Sequence, residues 1–298
     1  SFTDKEIIKY KNVINENVRV VHRINECDER KQTKGLNEFL VAANKCSDAT
    51  VFVSQWIKDL YLDQGFCVSN PYVIMSGSNE KIFNKTNSST YSEDTKMSIV
   101  THHWSGNWNK GFDIYEKFDL LLGSNEYSEQ FEFKYIGNLP DNFYFKNTQV
   151  VKPLSGLKLA TELKKSHVYL TGSLNEPSGN HHIEGALCGL PILFVASGAL
   201  PEYCNDFGVS FTKDNFPEKL IEIKNSYESL KRNLNNYPFK AEIMCSEYEK
   251  LFTEIINERI ELKNIIIKKN LIHRLILKTK NLIILNLYNS LKKNKLWK

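Results

Sequence analysis

A buried strand, a turn, a helix and a second buried strand follow one another between residues 167 and 195. The run His167-Val168-Tyr169-Leu170-Thr171-Gly172-Ser173 reads as a central strand, and Ile192-Leu193-Phe194-Val195 as another. Between them, Glu176-Pro177-Ser178-Gly179-Asn180-His181-His182-Ile183-Glu184 forms a turn and the start of a helix that Gly189-Leu190-Pro191 closes. Two strands joined through a helix belong to a parallel sheet with helices packed on it. Glu176 and Glu184 then stand at the carboxyl end of that sheet, where open α/β folds bind ligands. Amides at Asn180 to Ile183 lack intrahelical partners and can hold an anionic phosphate. A carboxylate in the loop and another on the first helical turns can grip hydroxyls on either side of it. Hydroxyls, diphosphate, hydroxyls is the layout of a sugar nucleotide.

The alternation extends both ways. Helical spacing predicts helices over residues 5–17, 34–44, 54–62 and 112–122, with Ser54 as an N-cap. Strands are expected at 18–21 (ending at His22), 49–53, 72–74, 97–101, 131–136 and 148–152. Residues 84–96 are polar and break the pattern, which places a junction there. The expected organisation is a partial N-terminal Rossmann-like domain over 1–90, a second Rossmann-like domain over 97–255, and a basic helical tail over 256–298.

Charge separates that tail from the body. Residues 262–298 hold ten Lys and Arg and no acid, so of the net +4 the tail carries +10 and the rest −6. Leu271, Ile272, Leu275, Ile276, Ile283 and Leu287 fall on helical spacing there, interleaved with Lys268, Arg274, Lys278 and Lys280. No apolar run is long enough to cross a bilayer. The segment reads either as a basic amphipathic helix on an anionic membrane surface or as a last helix packed on the domain. The acidic body and the absence of a recognition motif argue against nucleic-acid binding. Six dispersed cysteines form no C-x-x-C pair, which suits a reducing, cytoplasmic setting.

The Glu176–Glu184 pair and the small-residue run Gly185-Ala186-Leu187-Cys188-Gly189-Leu190-Pro191 resemble the signature of family-4-type retaining glycosyltransferases of the GT-B fold. So do Lys110-Gly111, Tyr135-Ile136-Gly137, residues 197–202 and residues 49–61. The resemblance covers residues 18–255. It implies two Rossmann-like parallel-sheet domains facing across a cleft, the N-terminal one lacking its first part. It also implies transfer of a sugar from a nucleotide-sugar donor, a UDP- or GDP-sugar, to a glycan or lipid-linked acceptor, without cofactor or metal. By the same resemblance Glu176 contacts the donor sugar, Glu184 the ribose, and Ser178, Gly179, Asn180, His181 and His182 the sugar and diphosphate. Lys110 neutralises the leaving diphosphate, and His22 faces donor or transition state; a structural histidine is the other reading of His22.

Relatives often carry an arginine shortly before the Lys110 position. Residues 102–109 (HHWSGNWN) have none, so either His103 or a loop amide substitutes, or phosphate binding is weaker. Asp28, Glu29 and Arg30 read as a solvated helix start. Trp104 and Trp108 either stack on a sugar or pack their loop. Adjacent histidines at 102–103 and 181–182 point apart on a strand or helix, so no metal site is expected. A nucleotide-binding relative without transfer activity and a sugar-nucleotide epimerase of the same fold are the alternative functions.

Overall fold

The computed structural model describes residues 4–15 and 18–257. The cationic segment 263–298, with its membrane expectation, lies outside the described residues. The larger sheet holds β4 (Met97–His103), β5 (Phe131–Gly137), β6 (Gln149–Val151), β7 (Val168–Thr171), β8 (Ile192–Val195) and β9 (Gly208–Phe211) in the order β6-β5-β4-β7-β8-β9. Every pairing in it is parallel. The chain builds outward from β4 in one direction, then returns beside it to build the other way. The strand order therefore reverses between β4 and β7, and loops leaving their carboxyl ends must diverge and open a crevice.

Alternation along each strand makes two apolar faces. Phe133 and Tyr135 of β5, Val168 and Leu170 of β7 and Leu193 of β8 pack on one face with Phe112, Tyr115 and Phe118. Those three come from α5 (Phe112–Leu121), and α10 (Phe216–Asn233) covers the same face through Phe216, Leu220 and Ile223. Ile136, Tyr169, Ile192 and Phe194 turn to the other face. There they meet α7 (Gly156–Leu163), α8 (Asn180–Leu187) and α9 (Leu200–Cys204). Gly185 lets α8 lie against the Tyr169 ring, because a Cβ there would fall 2.4 Å from its Cδ2.

The smaller sheet is β1 (Val21–Ile24), β2 (Ala49–Phe52) and β3 (Pro71–Val73), all parallel in the order β1-β2-β3. The expected strand at 18–21 is displaced to Val21–Ile24. The Val20 amide is taken by the Asp48 carboxylate at 2.6 Å, and strand pairing begins at Val21↔Ala49. The expected 5–17 helix is an α-helix over Asp4–Lys9 that continues as a π-helix over Tyr10–Ile14. Ser54 does cap the helix Gln55–Asp63, accepting from the Ile57 amide.

One side chain from the larger half ties the two sheets together. The buried Tyr203 donates to the Val53 carbonyl at 2.6 Å and accepts from the Ser76 amide at 2.9 Å. Glu202, beside it, caps the helix Gln55–Asp63 by accepting from the Gln55 and Trp56 amides at 2.8 and 2.5 Å. Among the described residues no helix is long and apolar enough to cross a membrane.

Candidate active site

A cavity of about 600 Å³ opens where the strand order reverses, bounded on its far side by residues of the smaller sheet's half. Its chemistry centres on Glu176, which leaves β7 through Asn175, a residue in the left-handed region at φ 49°. The Asn175 amide donates to Ser197 Oγ at 2.9 Å, and the Glu176 carbonyl accepts from the Ala199 amide at 2.8 Å. The carboxylate they place is only 4% exposed.

Lys110 reaches Glu176 from β4. It ends a 3-10 turn, Trp108–Lys110, started by Asn107, and is followed by Gly111 at φ 101°. A Cβ on Gly111 would sit 2.5 Å from Gly172 Cα, so only glycine lets the Lys110 loop lie against the end of β7. Lys110 Nζ then stands 3.0 Å from Glu176 Oε2. Burial pushes the Glu176 carboxyl up, but Lys110 and Arg30 together hold it below the usual glutamate range. Burial draws Lys110 below the ordinary lysine range, and Arg30 adds to that while Glu176 opposes it. A charged carboxylate clamped by cations is the resting state of the site.

Arg30 is the residue that sequence reasoning missed. It is no part of a solvated helix start: its Nε donates to Glu176 Oε1 at 3.1 Å, and its side chain is largely buried. It stands on a single turn, Asp28–Lys31, in the smaller sheet's half. His103, one expected stand-in for the absent arginine, lines the cavity. Its Nε2 lies 2.7 Å from the Tyr115 hydroxyl, and burial keeps its pKa well below the histidine range, leaving the ring neutral.

Glu184, eight residues beyond Glu176, lines the same cavity from α8. Its Oε2 lies 2.9 Å from His102 Nε2 and its Oε1 3.5 Å from Ser78 Oγ. A carboxylate only accepts, so His102 carries its proton on Nε2. Its other nitrogen then faces the Tyr169 hydroxyl at 3.1 Å. His102 thus fixes one Glu184 oxygen, and the cavity sees a carboxylate of set orientation.

Ser178, Gly179, Asn180 and His181 all line the cavity at the start of α8, which no side chain caps. His181 is held by Thr171 Oγ1 at 3.0 Å from Nε2, and burial keeps it well below the usual histidine range. His182 is not brought to the cavity. It is fully buried beside the Tyr203 ring, and burial pushes its pKa down to about 3. His22 is not brought there either: its Nδ1 lies 3.2 Å from Asn44 Nδ2, on the side of β1 that faces the helix Leu36–Asn44. Arg23, its neighbour on the opposite face, lines the cavity and donates to Ser76 Oγ at 3.2 Å. The two tryptophans differ. Trp108 packs on Phe112 and Phe143, whereas Trp104 lines the cavity mouth and is 73% exposed. Among the described residues no three His, Cys, Asp or Glu stand in a metal-holding group.

No family model and no curated protein sequence matches this chain. Solved structures do. Sucrose-phosphate synthase from Thermosynechococcus elongatus is similar at a TM-score of 0.57 and 16% identity, over 78% of this chain and 67% of that one. Anabaena HepE, solved in complex with UDP and glucose, is similar at 0.65 and 13% over 85% and 76%. The pneumococcal O-GlcNAc transferase GtfA, solved with UDP and GlcNAc, is similar at 0.62 and 12%, and there this chain spans 55% of the larger protein. Likeness at such identities speaks for architecture, and the two parallel sheets with a cavity at the strand-order reversal agree with it: this chain has the GT-B fold of glycosyltransferases.

Proposed function

We propose that this protein is a retaining glycosyltransferase that moves a sugar from a UDP- or GDP-sugar to a glycan or lipid-linked acceptor in cell-surface polysaccharide synthesis. One observation carries the proposal. A buried carboxylate, Glu176, is clamped by Lys110 at 3.0 Å in the cavity that also holds Glu184. The structural neighbours solved with UDP and a sugar point to the donor class.

Each group has work to do in such a transfer. Breaking the bond between sugar and diphosphate leaves negative charge on the departing nucleotide, and catalysis consists in stabilising that charge as it develops. Lys110 and the uncapped first amides of α8 stand where they can do so. Glu176 accepts hydrogen bonds from hydroxyls of the transferred sugar. Glu184, oriented by His102, accepts from the ribose hydroxyls. The acceptor hydroxyl attacks from the face the nucleotide leaves, its proton passing to the departing phosphate, so the configuration is retained. Glu176 acts as a ligand and not as a nucleophile, unlike the flanking acids of a two-carboxylate glycosidase. The cationic segment 263–298 is proposed to rest on an anionic membrane surface, close to a lipid-linked acceptor.

A thermal-shift screen of UDP- and GDP-sugars tests the donor class. One series is expected to raise the melting temperature, and Glu184→Ala to abolish most of that rise. Anomeric analysis of the transfer product by NMR is expected to show retained configuration. A chain that no nucleotide sugar stabilises, or a donor that is epimerised when incubated alone, would sink the proposal.

A further inference from the structure

The cavity is electrically balanced before any donor enters it. Arg23, Arg30 and Lys110 line it together with Glu26, Glu176 and Glu184. A nucleoside diphosphate brings roughly two to three further negative charges. A helix N-terminus offsets about half of one, and Lys110 is already matched by Glu176. Lys110 alone is cancelled by Glu176, so a second cation on the same carboxylate is what leaves that cluster with one positive charge to offer an anion.

Arg30 meets that need. It holds the other oxygen of the carboxylate that Lys110 holds, so the two cations are neighbours across Glu176. Among the described residues its side chain makes one hydrogen bond, from Nε. Among the described residues the terminal nitrogens of the guanidinium, in a fork suited to phosphate oxygens, make no hydrogen bond. Arg23, the other candidate, donates to Ser76 Oγ at 3.2 Å and is not paired with Glu176.

The turn that carries Arg30 is built, not loosely laid. The Asp28 carboxylate accepts from the Leu36 and Asn37 amides at 3.0 and 2.9 Å and from Thr33 Oγ1 at 2.7 Å. The buried Asn37 side chain accepts from the Asp28 amide and donates to Glu29 and Gln64. Across the cavity the turn is fastened to the chain neighbours of the two site residues. Asn175, next to Glu176, donates to the Glu29 carbonyl at 3.2 Å. Gln32 donates to Asn109 Oδ1, next to Lys110, at 3.0 Å.

We propose that Arg30 is the second diphosphate-binding cation of the donor site, delivered by the smaller sheet's half and paired with Lys110. The inference rests on the reading of this cavity as a nucleotide-sugar site. It makes the donor site a property of both halves: the diphosphate meets its full positive charge only while the 28–32 turn is seated on Asn109 and Asn175.

Isothermal titration with UDP and GDP, each against its bare nucleoside, tests the assignment in the full chain. Arg30→Gln is expected to weaken the diphosphate that binds by about 10- to 100-fold and to leave the nucleoside unchanged. Arg30→Lys, which keeps the charge but loses the fork, is expected to weaken it by about 3- to 10-fold, and it carries the test if the glutamine variant does not fold. Diphosphate binding within twofold of wild type, or an equal loss for diphosphate and nucleoside, overturns the assignment and leaves the proposed function standing. A wild-type chain that binds neither UDP nor GDP overturns both.

Discussion

Glu176→Gln should do two things that rarely occur together: weaken the fold and tighten nucleotide binding. In the resting site the carboxylate is buried and holds Lys110 at 3.0 Å and Arg30 at 3.1 Å. Its neutral replacement leaves two largely buried cations without a counterion, and breaking such a group by removing one partner costs about 3–5 kcal/mol. For a domain of this size that lowers the melting temperature by roughly 6–20 °C. An anion bound on the far side of Lys110 lies one salt bridge plus one charged hydrogen bond from the lost carboxylate, about 6 Å. At an effective dielectric of about 20 the repulsion removed is about 3 kcal/mol per unit charge. Allowing for solvent in an open cavity, about a third of it survives, so UDP or GDP should bind between about 5- and 100-fold tighter. Titration of wild type and variant with diphosphate and with nucleoside reads this directly, and the nucleoside should not change. Under the proposed function turnover should fall in the same variant, because the transferred sugar would lose a hydrogen-bond acceptor. Diphosphate binding that is equal or weaker in Glu176→Gln would refute the claim that the cations clamping Glu176 are those that receive the diphosphate.

Two further outcomes follow from the packing around the site. His182, pushed to about 3 by burial, and His181, also well below the usual range, stay neutral in the folded protein, while unfolded histidines titrate near 6.5. Below that value the unfolded state takes up protons that the folded state refuses, so stability falls as the pH drops. For His182 alone the loss at pH 5 is about 2 kcal/mol; equal melting temperatures at pH 7.5 and 5.0 would contradict it. Glu176, with its depressed pKa, adds stability that is present above the ordinary carboxyl range and disappears only as the pH falls further, through its folded value. Gly185→Ala would drive a Cβ to 2.4 Å from the Tyr169 ring, which is buried and cannot swing aside. Such overpacking costs about 1–3 kcal/mol, and a melt within a degree of wild type would show that α8 can slide off β7 freely.

Much of the larger sheet is legible in the chain because its signals are local. Strands such as Val168–Thr171 and Ile192–Val195 are buried on both faces and read as unbroken apolar runs, and Gly189 and Pro191 mark where the intervening helix stops. The placement of Glu176, Glu184 and Lys110 on one cavity is legible for a related reason: each follows a strand end, and the ends of β4 and β7 meet where the order reverses. β1 is less legible. His22 and Arg23 are polar for a strand, and they extend because the fully buried Ala49–Phe52 offers them a pairing partner. The four histidines illustrate a half-readable case. His102 and His103 do point to opposite faces, one to Glu184 and one to Tyr115, as alternation requires. Yet His181 comes within 4.7 Å of the His103 ring centroid, because the end of β4 and the start of α8 converge on one crevice.

Arg30 lies beyond such reasoning for a physical cause. The segment Glu26-Cys27-Asp28-Glu29-Arg30-Lys31 has the charge pattern of any solvated turn, and nothing near it in the chain needs a cation. Its demand is set by Glu176, 146 positions away, whose burial is affordable only with two positive partners. The sequence does hold one indirect sign. Asn37 is polar on the helix face that carries Leu40 and Val41 into the core, and its burial is explained by fastening the Asp28 turn. A polar side chain that must be buried to shape a turn implies that the position of that turn matters. Here what the turn positions is the Arg30 guanidinium, the proposed second cation beside Lys110. Asn37→Ala should therefore weaken UDP or GDP binding in the same titration without touching the nucleotide, and unchanged binding would refute that link.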